Sequence, residues 1–149
     1  MLKLIAAEQA EFDRGIMLMR VNMSAALEKN GIPWDEDWNR EHYGSLDNYS
    51  VLLRDHWIGF VSIELMLDAL FVHTVQLAPG YQGNIYGMKI FQWLRSRALE
   101  NNKKLIRCRA IEGSQVIEQY SRLGFAFEGV NGVLVSLVLS LGDSLSDMR

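Results

Sequence analysis

The chain has 149 residues, of which 49% are hydrophobic and 22% are charged, a balance typical of one globular domain spanning residues 1–149. Its formal charge of −3 disfavours a basic nucleic-acid binder, and its one cysteine, Cys108, excludes an internal disulfide bond. The sequence contains neither a signal-peptide core nor an apolar run as long as a membrane helix, so we expect a cytoplasmic protein with no membrane or nucleic-acid partner.

The first elements in chain order are a short strand and a long helix. The strand is predicted at LKLI, residues 2–5. From Ala6 to Asn30 apolar residues recur every three or four positions, which predicts an amphipathic helix that ends before Gly31 and Pro33. The next segment, WDEDWNREHYGS, is rich in acidic and aromatic residues and is compatible with either a loop or a short helix.

From Asn48 the pattern changes to β-branched and aromatic residues. Two breaks, at Asp55-His56 and near Leu67-Asp68, divide this region. We therefore predict three consecutive antiparallel strands, at residues 49–54, 57–65 and 69–77. The loop PGYQGNIYG follows them, and apolar residues at helical spacing then predict a second long helix that ends at Asn101 and Asn102.

The last third of the chain alternates strand and helix. KLIRCRA predicts a strand with Cys108 in the core, and SQVIEQYSRL predicts a short helix with Ser114 as N-cap and Gly124 as the residue beyond its C-terminus. FAFEG and VLVSLVLSL predict two final strands, and the VNG between them has the Asn-Gly signature of a tight hairpin. The resulting order, β-α-(α)-β-β-β-α-β-α-β-β, is a mixed α/β (α+β) arrangement and differs from a doubly wound nucleotide-binding sheet.

The glycine-containing loop has two interpretations. If it opens a helix just after a strand, the free N–H groups of the first helical turn fit a pyrophosphate. Gly83 would admit a phosphate close to the backbone, Gly87 would let the helix lie tight against the sheet, and Gln82 would add a side-chain donor. The alternative is an ordinary strand-to-helix turn. Neither a P-loop nor a GxGxxG motif is present.

Two motifs at a suitable separation give the sequence a family resemblance. In VQLAPGYQGNIYG an apolar strand end precedes Gln82-Gly83 and then Gly87, and EQYSRLGF supplies Tyr120, Gly124 and Phe125. The sequence in these two places resembles the GNAT superfamily of acyl-CoA-dependent N-acetyltransferases. The resemblance implies a mixed, mostly antiparallel central sheet of about six to seven strands flanked by helices. It also implies acetyl-CoA as co-substrate, with no metal.

Two positions depart from the family pattern. Ile85 replaces the middle glycine of the loop, and a left-handed backbone there would cost about 1–3 kcal/mol for a β-branched residue. Either the backbone at Ile85 is ordinary helix or the loop has shifted. The asparagine that often opens the late helix is replaced near Gly113-Ser114, so one pantetheine contact is either lost or replaced.

The resemblance also implies site residues. Backbone amides of the fourth strand would hold the acyl group and pantetheine, and the loop would hold the pyrophosphate. The implied cofactor-binding residues are Val75, Gln76, Leu77, Gln82, Gly83, Asn84, Ile85, Tyr86, Gly87 and Ser114. Tyr120 matches the general acid that protonates the leaving thiolate, and the competing interpretation is a packing residue with its hydroxyl at the surface. His73 is the candidate base, with Glu64, Glu112 and a water chain as alternatives and a half-buried structural histidine as the competing interpretation.

The acceptor would be an amine of a small molecule or a peptide. In this family the first two helices and their loop cover the acceptor, and here that segment contains Trp34, Asp35 and Trp38. Acids beside aromatics can hold an ammonium ion by charge and cation–π contact. The competing interpretation is a solvated acidic loop with tryptophans in the core.

Two other classes of function stay open at this point. One is a catalytically weak acyl-CoA-binding regulatory domain. The other is an interaction module whose apolar last strand, VLVSLVLSL, pairs with another subunit. A homodimer is compatible with every one of these hypotheses.

Overall fold

The computed structural model describes residues 1–142, and at Asn84 it describes the backbone alone. The described elements are β1 (Leu2–Ala6), α1 (Gln9–Lys29), α2 (Glu36–Gly44), β2 (Asp47–Leu53), β3 (His56–Leu65), β4 (Ala69–Leu77), α3 (Asn84–Glu100), β5 (Leu105–Ile111), α4 (Gln115–Arg122), β6 (Ala126–Asn131) and β7 (Leu134–Ser140). The predicted order of elements is confirmed, with boundaries that move by a few residues. The acidic and aromatic segment forms the helix α2. Among residues 1–142, no helix has both the length and the apolar character that a bilayer crossing demands.

The strands form one seven-stranded sheet in the order β1-β2-β3-β4-β5-β7-β6. The pairs β1–β2, β2–β3, β5–β7 and β6–β7 are antiparallel, whereas β4 and β5 are parallel. The parallel ladder runs from the pair Ala69 and Leu105 to the pair Val72 and Cys108. Parallel neighbours need a crossover connection, and α3 lies between these two strands in the chain. The predicted mixed, mostly antiparallel sheet is confirmed.

The chain forms two compact units. The first comprises Met1–Glu64 and His73–Ile90, and the second comprises Leu65–Val72 and, among the described residues, 91–142.

The core of the first unit lies where α1 meets β3. Its buried cluster contains Ile16, Met19, Tyr43 and Phe60, so the predicted apolar face of α1 is the buried face. Gly15 lies directly against the ring of Phe60, because a Cβ added to Gly15 would be 2.3 Å from a ring carbon. A side chain at this position would hold the helix away from the strand.

The core of the second unit is built on β5 and β7. Ile106, Cys108 and Leu137 are all 2% exposed or less, and Phe125 packs edge-on against Phe91 at 6.1 Å between ring centroids. The assignment of Cys108 to the core is confirmed. Burial raises the pKa of its thiol to about 12, so the thiolate does not form at neutral pH.

All three predicted turns between consecutive strands form. The turn near Leu67-Asp68 lies between β3 and β4 as expected, and the N–H of Met66 donates to the carbonyl oxygen of Ala69 at 2.8 Å.

The other two turns are each centred one residue away from the predicted positions. The β2–β3 turn is at Arg54-Asp55, not Asp55-His56, and both residues have positive φ (50° and 67°). The β6–β7 turn is at Gly132-Val133, because Asn131 still pairs with Leu134. Mirror-image turns of this kind match the twist of the strands, which is why the chain accepts left-handed residues other than glycine at the first of them.

We predict that Gly59→Ala lowers the free energy of unfolding by about 1–3 kcal/mol, the usual cost of overpacking. A Cβ added to Gly59 in β3 would lie 2.4 Å from the backbone carbonyl oxygen of Gln76 in β4, so the strand backbone would have to move. Urea denaturation measures the change. The matched control is Gly129→Ala in β6, where no atom lies within 4 Å of an added Cβ. Equal losses in the two variants would contradict the packing argument.

Candidate functional site

The glycine-containing loop between β4 and α3 contains two left-handed glycines. Gly80 has a φ of +92° and Gly83 a φ of +135°, and α3 begins at the next residue. The first helical hydrogen bond joins the N–H of Gly87 to the carbonyl oxygen of Gly83, at 3.3 Å. The N–H groups of a first helical turn lack intrahelical acceptors, and nothing lies within 4 Å of a Cβ built at Gly83. The loop therefore ends in a helix start with open space beside Gly83.

The departure at Ile85 introduces no backbone strain. Ile85 lies in α3, its φ is not positive, and its side chain is 69% exposed. Of the two alternatives that the sequence left open, ordinary helix is the correct one. The prediction that Gly87 lets the helix lie tight against the sheet is wrong, because a Cβ at Gly87 would meet nothing within 4 Å.

A network of side-chain amides fixes the loop to α1. The Nδ2 group of Asn22 donates to the backbone oxygen of Leu77 and to Oε1 of Gln76, each at 3.0 Å. The Nε2 group of Gln82 donates to the same oxygen of Leu77 at 3.0 Å and to Oδ1 of Asn22 at 3.3 Å. Both amide hydrogens of Gln82 are thus used within the protein, so its side chain is not the free phosphate donor expected from the sequence.

No sequence motif indicates Asn22. The available signal is its position three residues after Met19, on the apolar face of α1, where a polar side chain needs a partner inside the protein. Its partners lie more than fifty residues away in the chain, so no local pattern identifies them.

The three predicted residues at the end of β4 differ in their surroundings. The carbonyl oxygen of Gln76 faces Gly59 in β3, and the side chain of Gln76 is buried and donates to Oγ1 of Thr74 at 2.7 Å. The carbonyl oxygen of Leu77 accepts hydrogen bonds from the side chains of Asn22 and Gln82. Val75 is half-buried.

A chain of three titratable groups lies on α2, β3 and β4. Oε1 of Glu64 is 2.9 Å from Nε2 of His73, and Nδ1 of His73 is 3.2 Å from Nε2 of His42. We call these three residues the histidine chain. The ring of Trp38 stacks on His42 at 4.7 Å and 12° between planes, and Tyr43 meets the same ring edge-on at 4.8 Å.

His73 is the base expected from the sequence and Glu64 is an alternative, but no sequence pattern connects His42 with them. His42 is 31 residues from His73 in the chain. Burial lowers the pKa of His42 below its ordinary value, the neighbouring His73 lowers it further, and Glu64 acts in the opposite direction. Burial also raises the pKa of Tyr43 to about 12. Both groups are therefore neutral at pH 7.

Two of the three predicted acceptor residues have partners within their own segment. The carboxylate of Asp35 caps α2 by accepting from the backbone N–H of Trp38 at 3.0 Å. Nε1 of Trp34 donates to Glu36 at 2.9 Å, and Arg40 donates to the same carboxylate at 2.6 Å. Trp38 is 56% exposed and is the member of the set whose ring faces solvent.

Tyr120 and Ser114 belong to the second unit. Tyr120 lies on α4 with its ring 5.0 Å from that of Phe125, and burial together with Cys108 raises the pKa of its hydroxyl above the ordinary value. Ser114 is the N-cap of α4 by backbone geometry, but its side chain makes no capping hydrogen bond. Its Oγ is buried and has no hydrogen-bond partner among the described residues.

The site residues predicted from the sequence are divided between the two compact units. The glycine-containing loop, His73 and the residues of α2 lie in the first unit, and Ser114 and Tyr120 lie in the second. The side chain of Asn84 lies outside the described part of the structure.

No protein-family model and no curated protein matches the chain in sequence. In structure the chain is similar to the PaiA N-acetyltransferase of Thermoplasma acidophilum in complex with coenzyme A, with a TM-score of 0.76, 16% identity and coverage of 94% of this chain and 99% of that one. It is also similar to a GNAT family acetyltransferase from Elizabethkingia anophelis with acetyl-CoA bound, with a TM-score of 0.71, 12% identity and coverage of 94% and 98%.

A third similar structure is the spermidine/spermine N-acetyltransferase SpeG of Vibrio cholerae in complex with manganese ions. It has a TM-score of 0.68 and 20% identity, over 99% of this chain and 97% of that one. At such identities the likeness establishes the fold. The chain has the fold of the GNAT acetyltransferases, and the resemblance drawn from the two sequence motifs is confirmed at that level.

We predict that His42 makes the folded state less stable in mild acid. Its folded pKa is lower than its ordinary value of 6.5, so the unfolded chain binds a proton that the folded chain resists. The resulting stability is fully present above the unfolded pKa of about 6.5 and is lost as the pH falls below it towards the lower folded pKa. The loss should be smaller in His42→Gln than in the unaltered protein.

The measurement is urea denaturation at several pH values. The control is His56→Gln, which changes an exposed histidine at the start of β3 and should keep the slope of the unaltered protein. A slope in His42→Gln as steep as in that control would contradict the prediction.

Proposed function

We propose that the protein is an acetyl-CoA-dependent N-acetyltransferase that moves an acetyl group directly to a primary amine of a small molecule or peptide. The observation that carries the proposal is the loop between β4 and α3, where the left-handed Gly83 opens a helix in a chain with the GNAT fold. The backbone at Ile85 is unstrained helix, so the departure from the family pattern leaves this helix start intact.

Two features support the fit of acetyl-CoA. The space beside Gly83 is open, and the helix start supplies backbone N–H groups with about half a positive charge. The buried Oγ of Ser114, which has no partner among residues 1–142, is a group that a bound cofactor would satisfy. The proposed contacts are Val75, Gln76, Leu77, Gln82, Gly83, Asn84, Ile85, Tyr86, Gly87 and Ser114. Gln82 is included through its backbone, because its side-chain amide is engaged by Asn22 and Leu77.

Acetyl-CoA would supply the thioester that the amine attacks. In this proposal, backbone amides at the end of β4 hold the charge that develops on the carbonyl oxygen, and the site orients the reacting groups. Tyr120 gives a proton to the leaving sulfur. Because the pKa of Tyr120 is raised, the hydroxyl keeps its proton throughout the neutral range, although it is a weaker acid than an ordinary phenol. The histidine chain that contains His73 receives the amine proton.

The acceptor site is assigned to the segment around α2. The exposed ring of Trp38, with the acidic residues beside it, provides a surface for a cationic amine. The likeness to an enzyme named for spermidine and spermine supports the inclusion of spermidine in an acceptor screen. A cytoplasmic location and a homodimer remain predictions.

One observation favours the alternative of a catalytically weak acyl-CoA-binding domain. Both ring nitrogens of His73 are hydrogen-bonded within the protein, one to Glu64 and the other to His42. His73 therefore has no nitrogen left to receive a proton directly. In this alternative, acetyl-CoA binds without transfer to any amine.

The test of acetyl-CoA binding is calorimetric titration, with CoA and NADH as controls. We expect micromolar binding of acetyl-CoA and none of NADH. We predict that Gly83→Ala weakens the binding of acetyl-CoA by at least about tenfold, since the new side chain strains the loop and occupies the space proposed for phosphate.

The matched control is Gly31→Ala. Gly31 also has a positive φ and also has open space at its Cβ position, but it lies beyond the end of α1. It should retain the affinity of the unaltered protein. Folded protein that binds no acetyl-CoA would overturn the proposal. Binding without release of CoA in the presence of spermidine, glucosamine, a free peptide N-terminus or a lysine peptide would favour the alternative.

We predict that Tyr120→Phe lowers kcat by about a hundredfold, a typical contribution of general acid catalysis, and leaves the Kd for acetyl-CoA nearly unchanged. Release of CoA measures kcat and calorimetry measures Kd. Tyr49→Phe in β2 is the control for the loss of a tyrosine hydroxyl. Full turnover by Tyr120→Phe would remove Tyr120 from the mechanism.

A further inference from the structure

We propose that His42 is the general base of the acetyl transfer, and that His73 and Glu64 are positioning residues that hold His42 in the tautomer needed for this role. The inference rests on the proposed transfer to an amine. It assigns the removal of the amine proton to His42, a residue that the sequence motifs do not indicate.

The tautomers follow from the hydrogen bonds of the histidine chain. An ionised carboxylate only accepts hydrogen bonds, so Nε2 of His73, 2.9 Å from Oε1 of Glu64, must carry a hydrogen. In a ring whose one hydrogen is on Nε2, Nδ1 is an acceptor. Nε2 of His42, 3.2 Å away, must donate to it. Nδ1 of His42 is consequently left with a lone pair.

That nitrogen is the available base in the chain. Nδ1 of His42 has no hydrogen-bond partner among the described residues, whereas both nitrogens of His73 are engaged. The stack with Trp38 and the edge contact with Tyr43 fix the plane of the His42 ring. Trp38 is largely exposed, so the base lies beside a surface that an amine can reach.

The proton balance is simple. The lone pair at Nδ1 of His42 takes one proton from the amine, and His42 becomes an imidazolium. The hydrogen bond to His73 and the negative charge of Glu64 stabilise this cation, as a buried acid stabilises the histidine of a hydrolase triad. His42 then releases the proton to water, and the chain returns to its starting tautomers.

The charged surroundings of His42 are consistent with this role. The titratable groups that face it are His73 from β4, Glu64 from β3 and Tyr43 from α2 itself. On α1, Asp13 is occupied by its ion pair with Arg40. The lowered pKa of His42 keeps the ring unprotonated at pH 7 and ready to act as a base.

The first experiment reads the tautomers without any assay of activity. Long-range ¹H–¹⁵N spectra of the whole protein, labelled at histidine, should show His42 and His73 both protonated at Nε2 at pH 7.5. Glu64→Ala should change the nitrogen shifts of both rings and leave those of His56 unchanged. A His42 ring protonated at Nδ1 would overturn the proposal.

The second experiment measures transfer to spermidine, or to the amine of the acceptor screen that gives the highest turnover. His42→Gln should lower kcat by at least about a hundredfold with little change in KM, and the acidic limb of the pH–rate profile should disappear. Added imidazole should restore part of the activity of His42→Gly, which a purely structural role would not allow. His56→Gln is the matched control and should behave as the unaltered protein.

The outcomes separate the two proposals. Turnover by the unaltered protein that persists in His42→Gln would overturn the role of His42 and leave the proposed function standing. An unaltered protein that transfers acetyl to no amine of the screen would overturn both.

Discussion

The side-chain amide of Asn22 determines how the end of β4 is held. It donates to one backbone and one side-chain oxygen of β4 and accepts from Gln82, so α1, β4 and the following loop are joined at a single residue. The groups are partly buried, where an unmade hydrogen bond is costly, and a carboxylate at this position has no donor to replace the amide. The start of α3, and every role proposed for its first turn, depends on this junction.

In the proposed reaction, burial prepares one residue to act as a base and another to act as an acid. It lowers the pKa of His42 and raises that of Tyr120, and in both cases the neutral form is the one favoured. A neutral imidazole is a base and a neutral phenol is an acid. One physical effect, the cost of charge in an apolar environment, thus prepares the two groups for their different roles in the proposed mechanism.

Sequence patterns that depend on neighbouring residues predicted the fold well. The apolar period of α1, the β-branched runs of β2 to β4 and the glycine-containing loop are all local signals, and each gave an element of the correct type. The predicted position of the β2–β3 turn is wrong by one residue because strand twist, and not the local sequence, selects the left-handed pair Arg54-Asp55.

The side-chain networks of the candidate site depend on contacts between distant parts of the chain. His42 meets His73 across 31 residues, and Asn22 meets Leu77 across 55. Neither residue belongs to a motif, so only the fold brings the partners together. Gly87 is the opposite case. Its position in the motif suggested that α3 packs closely against the sheet there, but a Cβ at Gly87 would meet no atom within 4 Å.

The buried thiol of Cys108 offers a direct way to detect unfolding of the protein. Cys108 is the only cysteine of the chain, it is paired with Val72 in the β4–β5 ladder, and its raised pKa keeps it unreactive. A thiol reagent added to the folded protein will therefore react with the CoA that an assay releases and hardly at all with Cys108. The same reagent will label the protein when β5 separates from its neighbours, so the labelling rate reports how often this part of the sheet opens.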